Sequence, residues 1–449
     1  MRSPRRIRPP ECDGRRPSSS RTTDLPAQAH LECSAVTDAA TRPTPPHHRK
    51  RTPRRWTVLA PLFGLIALGL CALVLLGLGT TKIGAVPVLV GAVAALVPVG
   101  PVIGAYLWVD RWEPEPAKLL LLAFVWGGSG AALSSLLFNS TAEVIGDLIS
   151  SGNGNVVAAV FSAPLIEEAA KGAFLVGLLL WRRQEFDGMV DGIVYAGFTA
   201  AGFAFTENIY YFARVFSASG LGGMSSGVVA LFLLRGVLGP FAHPMFTSMT
   251  GIGVGIAART GNRKIAVLAP LLGYLGAVAL HSLWNVSTTL GSGSTFINLY
   301  FLVMVPVFAG MVLLVVWQRR REQRVVAGQL PAMADHRWIA FSEVPLLSSL
   351  PGRRDWRRAV RRKSGEHAAR AVAAYQVAAT ELAFLRHRIA EGGTAADLEQ
   401  RHEQLLGALL AARSAAVHGR GGAHQAAPTR GVGGKRDNRS DQGGSRHLQ

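Results

Sequence analysis

The sequence predicts an all-α polytopic membrane protein with about eight transmembrane helices, both termini cytoplasmic and a small helical cytoplasmic tail. Three observations predict it. Apolar residues make up 49% of the 449-residue chain and charged residues only 17%, and the apolar ones concentrate between Trp56 and Trp317. Within that stretch they fall into runs of about 20 residues or more, the length at which a helix crosses a bilayer core. Lysine and arginine alternate between rich and poor connections, as the positive-inside rule requires of successive loops.

Residues 1–55 carry 13 Lys or Arg against 5 Asp or Glu, with many Pro and Ser and no apolar period. That is the composition of a disordered basic arm held on the cytoplasmic side. The first apolar run begins only at Trp56, too late for a signal peptide, and reads as a retained helix. A membrane domain over 56–318 then divides into candidate spans at 57–79, 83–109, 118–138, 156–181, 189–212, 228–257, 265–287 and 296–317. Lys118, Arg182-Arg183, Arg259 with Arg263-Lys264, and Arg319-Arg320-Arg321 mark one side together with the basic arm. The opposite connections hold Lys82, Arg214, and no basic residue in 139–156 or 287–296. Small residues four apart, Gly251 with Gly255 and Gly197 with Ala201, predict close helix packing in lipid.

Beyond the last span, 319–363 reads as a basic membrane-proximal segment, irregular from 330. Residues 364–417 read as a hairpin of two Ala-rich helices, with Thr394 as N-cap of the second, and 418–449 as a disordered C-terminus. The net charge of +19 is spread over the arm, the loops and the C-terminal third. This suits the surface of a lipid bilayer and argues against a specific nucleic-acid groove. Cys12, Cys33 and Cys71 have no metal-ligand spacing.

Chemistry is concentrated in Ala163-Pro164-Leu165-Ile166-Glu167-Glu168-Ala169-Ala170-Lys171-Gly172, which sets three ionisable residues inside an apolar run. A charge at the bilayer centre costs about 2.5 to 3.5 kcal/mol on insertion scales, so function is the default reading. Glu167 and Lys171 stand four apart and are expected to pair, with Glu168 turned toward something else. Pro164, one turn upstream, is expected to bend the helix and free a backbone carbonyl. A structural ion pair is the bland reading, and it leaves Glu168 unexplained.

The following spans add Glu207 and Asn208, with Phe203 on the Glu207 face; then Arg235 and His243 beside Pro244; then His281 with Asn285. Arg235 is expected to balance Glu207. Glu207 and His281 are expected nearer the outer face than Glu167, Glu168 and His243, so that a cavity opening outward would take them all. Singly, each has a bland account, as a snorkelling acid, a structural histidine or an interhelical hydrogen bond. Together, acids and imidazoles from four consecutive helices are suited to activating water, with or without a metal. No His-Glu-x-x-His lies in the spans, while Gly127-Gly128-Ser129-Gly130 matches the short Gly-x-Ser-Gly pattern of rhomboid serine proteases and leaves the glutamates without a role.

The ordered set Glu167-Glu168-x-x-Lys171, Phe203-x-x-x-Glu207-Asn208, His243, and His281-x-x-x-Asn285 resembles the PrsW family of intramembrane proteases. Asp110-Arg111-Trp112-Glu113-Pro114-Glu115-Pro116 is similar to that family's loop ahead of its core, and the resemblance covers about 83–318. The family is grouped with the CAAX-processing and bacteriocin-immunity proteases. The resemblance implies an endopeptidase of the bacterial plasma membrane that cuts a single-span substrate, such as a membrane-anchored anti-sigma factor, on its extracytoplasmic side. It implies Glu167, Glu168, Glu207, His243, His281 and Asn285 as catalytic residues, supported by Lys171, Asn208 and Arg235, with the base either Glu167 or Glu168. Zinc on His243, His281 and Glu207 and a metal-free glutamate mechanism both fit it, with His281 and Asn285 polarising the scissile carbonyl. The helical tail lies outside the resemblance and reads either as a solvated extension or as a module that binds a regulator. Two other classes stay open: a proton- or ion-coupled transporter, which an inverted repeat would favour and none is visible, and a noncatalytic scaffold that kept the fold.

Overall fold

A computed structural model describes residues 55–112, 114–150, 154–183, 186, 188–219, 226–391 and 396–418. The expected basic arm, the C-terminus from 419 and the Thr394 cap lie outside the described residues. All regular structure described is helical. In chain order come α1 (Arg55–Lys82), α2 (Ala85–Val109), α3 (Ala117–Val125), α4 (Ala132–Ser150), α5 (Gly154–Val157), α6 (Ala163–Trp181), α7 (Met189–Ser219) and α8 (Ser226–Phe232). They are followed by α9 (Ala242–Arg259), α10 (Arg263–Thr289), α11 (Gly293–Leu299), α12 (Val305–Asp335), α13 (Val344–Leu347), α14 (Leu350–Ala390) and α15 (Ala396–His418).

Among the described residues seven helical stretches are long and apolar enough to cross a membrane: Phe63–Lys82, Ala85–Val109, Ala117–Leu148, Met189–Ala218, Val229–Arg259, Arg263–Thr289 and Gly293–Asp335. Large apolar side chains such as Leu73, Val93, Phe138, Val267 and Leu302 are exposed on their outer faces, the surface that lipid covers. The chain is therefore an integral membrane protein. α6 stands outside this set because Glu167, Glu168 and Lys171 fall within its 19 residues.

α7 is the central helix. Of its apolar window 72% is buried, against 39% or less in every other candidate span. Its small residues allow this. A Cβ on Gly192 would overlap the backbone of Gly251 in α9, and one on Gly202 would overlap the carbonyl of Phe124 in α3, so both helices approach backbone to backbone. The expected packing role of Gly251 holds. α7 also runs to Ser219, beyond the expected end at 212, which places Glu207 well inside the helix.

π-helical turns join α3 to α4 (Trp126–Ala131), α5 to α6 (Ala158–Ser162), α8 to its end (Leu233–Leu238) and α11 to α12 (Tyr300–Met304). Such turns recur at functional sites. The stretch expected as one span over 228–257 is broken at Gly239–Phe241, so α9 begins at Ala242 in mid-stretch. Pro244 then falls in the first turn of α9, where no intrahelical donor is needed, and does not kink it.

The segment expected to be irregular is largely helical. α12 continues without a break past 318 to Asp335, and α14 starts at Leu350 with Ser349 Oγ accepting from Gly352 N–H. Tertiary packing supplies the reason. Val326, Leu330 and Met333 of α12 share a core with Leu347, Tyr375, Leu382 and Leu409, and Trp112 from the α2–α3 connection is buried in it at 3% exposure. The α2–α3 loop and the C-terminal helices are thus one packed unit. Truncating Trp112 to Ala removes its largest contribution from the membrane domain, at about 3 to 5 kcal/mol. The expected result is accelerated proteolytic cutting within 350–418, and unchanged cutting would show that the docking does not depend on Trp112.

Candidate active site

The site is built where α6, α7, α9 and α10 meet. The π-helical turn before α6 sets its geometry: Ala163 N–H reaches back five residues to the Ala158 carbonyl. The same register would take the next amide to Ala159, but residue 164 is proline and has no N–H. The orphaned Ala159 carbonyl accepts instead from Asn285 Nδ2 at 2.8 Å, which ties α10 to the entry of α6. Pro164 does free a carbonyl as expected. Asn285, expected to polarise a substrate carbonyl, spends one amide donor on this helix tie.

One turn on, Glu168 and Lys171 are fully buried and Glu167 is 7% exposed. Lys171 Nζ lies 2.8 Å from Glu168 Oε1 and 3.5 Å from Glu167 Oε2, so the main partner is Glu168 at i, i+3 rather than Glu167 at i, i+4. Spacings of three and four both share a helix face, and tertiary contacts decide between them. Lys171 Nζ also lies 3.0 Å from His243 Nδ1 and 4.0 Å above the Phe203 ring. The ammonium donates to Nδ1, so the proton of a neutral His243 ring resides on Nε2, which points at Glu207 Oε2 at 2.8 Å. Arg235 clamps that acid from the other side, pairing with Glu207 and donating from Nε to Asn208 Oδ1 at 2.6 Å. The expected Arg235–Glu207 balance is present.

The two glutamates of α6 are in different situations. Glu168 is saturated: beside Lys171, it accepts from Thr247 Oγ1 at 2.8 Å, and His281 Nδ1 lies 3.1 Å from Oε1. Glu167 Oε1 has only Asn139 Nδ2 at 3.4 Å, and Oε2 is buried with no hydrogen-bond partner among the described residues. Oε2 faces His281 Nε2 at 3.8 Å. With Nδ1–H given to Glu168, Nε2 of a neutral His281 ring is an acceptor too. Two acceptors that face each other across a gap leave a place for a water donating to both or for a cation.

A cavity of about 720 Å³ reaches this point, with Glu167, Glu207 and His243 in its lining and Asn139, Phe203, Arg235, Trp284 and Asn285 around them. Glu168, Lys171 and His281 do not line it and form the layer behind.

Ligand atoms of Glu167, His243 and His281 lie within 4.8 Å of one another, a buried group able to hold a metal ion. The orphaned Glu167 Oε2 opposite His281 Nε2, with Glu168 behind His281 Nδ1, fits the carboxylate-backed imidazole usual at metal centres. The acid differs from the expected Glu207, which Arg235 and His243 already engage. Lys171 beside His243 Nδ1 competes for the third donor.

Thr247 and Asn139 join the site without being among the residues expected there. Thr247 stands one turn after His243 on α9, a spacing that places it on the same face. Asn139 fell outside the expected 118–138 span, whereas α4 carries it within a helix running to Ser150. Ser129, the rhomboid-like candidate, donates to the Val125 carbonyl at 2.6 Å and is 3% exposed, and it is absent from the cavity lining. Its glycine neighbours serve packing: a Cβ on Gly127 would overlap the Thr199 carbonyl. Ser129→Ala is expected to leave turnover within about twofold of wild type, since nothing in the acid–imidazole cluster touches it. Loss of peptide cleavage in that variant would restore a serine mechanism.

Comparison with known proteins finds a family match. Residues 115–311 match the model of the family described as PrsW family intramembrane metalloprotease. A protein named Protease PrsW from Oceanobacillus iheyensis is 32% identical over 208 residues, covering 46% of this chain and 86% of its own. Proteins of the same name from Clostridioides difficile and Geobacillus kaustophilus are each 28% identical, over 182 and 148 residues, or 38% and 33% of this chain and 72% and 58% of theirs. No solved structure matches.

Proposed function

The chain belongs to the PrsW family of intramembrane metalloproteases, and from that premise we propose that it cuts a membrane-anchored protein substrate on the extracytoplasmic side with water activated at Glu167. It is an intramembrane protease of the bacterial plasma membrane. The observation that carries the mechanistic reading is the contrast between the two acids: Glu168 is saturated, while Glu167, which lines the cavity, has a buried oxygen with no hydrogen-bond partner among the described residues and Lys171 only at 3.5 Å.

In the proposed reaction Glu167 Oε2 takes a proton from water as its oxygen attacks the scissile carbonyl. The C–N bond then breaks and the same carboxyl returns the proton to the departing nitrogen. Glu168 orients His281 through Nδ1, and Lys171 holds Glu168 and His243 in register. Glu207, Asn208 and Arg235 fix the other edge of His243. A metal ion, zinc by the character of the donors, would be held by Glu167, His243 and His281, and when bound would polarise the carbonyl and acidify water, with Glu167 then serving as ligand in place of base.

We also propose the topology of eight crossings with both termini cytoplasmic, counting α6 as a span whose charges face protein and cavity. Glu143, Asn155, Arg214 and Thr289 of the cavity lining all lie near helix ends that this topology places outside. That supports an extracytoplasmic approach for a single-span substrate of the anti-sigma-factor type. The C-terminal helices, packed around the α2–α3 loop, would be cytoplasmic and available to a regulator.

The test is cleavage of a panel of single-span proteins in proteoliposomes, with the cut mapped by mass spectrometry. The expected product is cut at or just outside the outer end of the substrate helix. Absence of cleavage across the panel together with proton or ion flux would favour the transporter reading instead.

A further inference from the structure

α14 is two helical arms meeting at Gly365, whose φ of 83° and ψ of 178° turn the chain out of the helix. A positive φ suits glycine. The first arm is densely basic: between Arg353 and Lys363 there are seven Arg or Lys and one acid, Asp355.

Packing sorts that arm into two faces. Arg353 lies 4.8 Å from the Trp112 ring and donates from Nε to the Leu347 carbonyl at 2.8 Å; Trp356 meets Tyr375 edge-on at 5.9 Å; and Val360 is 6% exposed. This inward stripe anchors the helix. It leaves Arg354, Arg357, Arg358 and Arg361 on the other side, at the i, i+3, i+4, i+7 spacing of one face.

Those four arginines are accessible from solvent, Arg358 and Arg361 by 67% and 59% of their side-chain surface. They line a cleft of about 340 Å³ whose other wall is the second arm, with Glu366 and Arg370. Ala369 and Ala373 complete that wall and leave it open. Arg361 crosses the kink to Glu366 at 2.7 Å, which holds the arms together, and Arg358 meets Asp355 at 3.7 Å. Five arginines against Glu366 and the Asp355 that pairs with Arg358 leave the cleft three positive charges in excess. Burial, and then the guanidiniums of Arg361 and Arg354, hold Arg357 below the usual arginine range. Burial and Arg357 push Arg353 down to about 10.

A planar guanidinium matches a phosphate with two parallel N–H donors, and several converging on one concavity match several phosphates. A monoanion would leave most of the charge unbalanced. We propose that the cleft at Gly365 is a binding site for an anion bearing two or more phosphate groups. The site is independent of the proteolytic centre and does not rest on its mechanism. Two sources carry this chemistry, a soluble pyrophosphate-like ion and a diphosphate lipid headgroup, and the experiment separates them.

Full-length protein in phosphatidylcholine nanodiscs would be titrated calorimetrically with pyrophosphate; in a second arm, retention of cardiolipin from mixed discs would be read by native mass spectrometry. The variant Arg354→Gln/Arg357→Gln is compared with Arg362→Gln/Lys363→Gln, which removes the same charge beside the cleft. Saturable one-site binding of either probe is expected, weakened at least about tenfold in the cleft variant by the loss of charge-assisted contacts. The charge-matched variant should change it by less than about threefold, as screened distant charge does. Phenylglyoxal modification of the wild type, needing no variant, should be blocked by the bound probe at Arg354, Arg357 and Arg358 and not at Arg362. Pyrophosphate binding assigns a soluble ligand, and cardiolipin retention alone assigns a headgroup. Equal weakening in both variants, or no saturable binding of either probe, overturns the proposal.

Discussion

Glu167→Gln is expected to leave a folded, membrane-inserted protein whose peptide cleavage falls by about three orders of magnitude, the range of a lost general base. That is about 4 kcal/mol of barrier. The expectation follows from what Glu167 touches: Asn139 Nδ2 at 3.4 Å on one oxygen, and no hydrogen-bond partner among the described residues on the other. Glutamine keeps the shape and loses the basic oxygen. Little of the fold depends on that charge, because Lys171 has its closer contact with Glu168. The thermal midpoint in detergent should stay near that of the wild type while product formation in proteoliposomes disappears.

Glu168→Gln is expected to fail differently, by loss of stability. Here the charge removed is the one that faces the fully buried Lys171 ammonium at 2.8 Å. Breaking one side of a buried ion pair costs about 3 to 5 kcal/mol, because the other charge stays buried. Thr247 and His281 lose their common acceptor charge as well. The thermal midpoint should drop well below that of Glu167→Gln, and residual turnover should track the folded fraction. A Glu168→Gln protein as stable as the wild type would mean that Lys171 is balanced by another group.

Much of the site was legible because lipid penalises charge. Glu167, Glu168, Lys171, Glu207, His243 and His281 stand out against apolar runs, and the structure brings all six together. The pairing among them was less legible. Lys171 can reach Glu167 or Glu168 along one helix face, and the contacts from α9 and α10 choose Glu168. Threonine is ordinary in a membrane helix, so Thr247 carries no signal of its own, and its role is visible only once Glu168 lies beside it. The engagement of Asn285 depends on a π-helical register over Ala158–Ser162 that no residue there announces; only Pro164 hinted at a free carbonyl.

The fold shows the same division. Span-length apolar runs located the membrane helices, and Gly251 and Gly255 marked the close approach of α9 to the start of α7, whereas Gly197 makes room for the Tyr106 ring. The basic stretch from 330 to 363 reads as irregular, since Pro, Trp and Arg give no clear helical period. Its helices pack into one core with one another and with Trp112, more than 200 residues earlier. Long-range contacts of that kind have no local signature.

The central claim, that Glu167 carries the reaction, is tested most directly by cleavage of a single-span substrate in proteoliposomes by wild type, Glu167→Gln and Glu168→Gln, each normalised to folded protein and each with and without a strong chelator. The account predicts no product from Glu167→Gln in either condition and measurable product from folded Glu168→Gln. Loss of wild-type activity with chelator would assign a metal to Glu167, His243 and His281, and retention would leave Glu167 acting on water alone. Cleavage by Glu167→Gln at close to the wild-type rate would contradict the account.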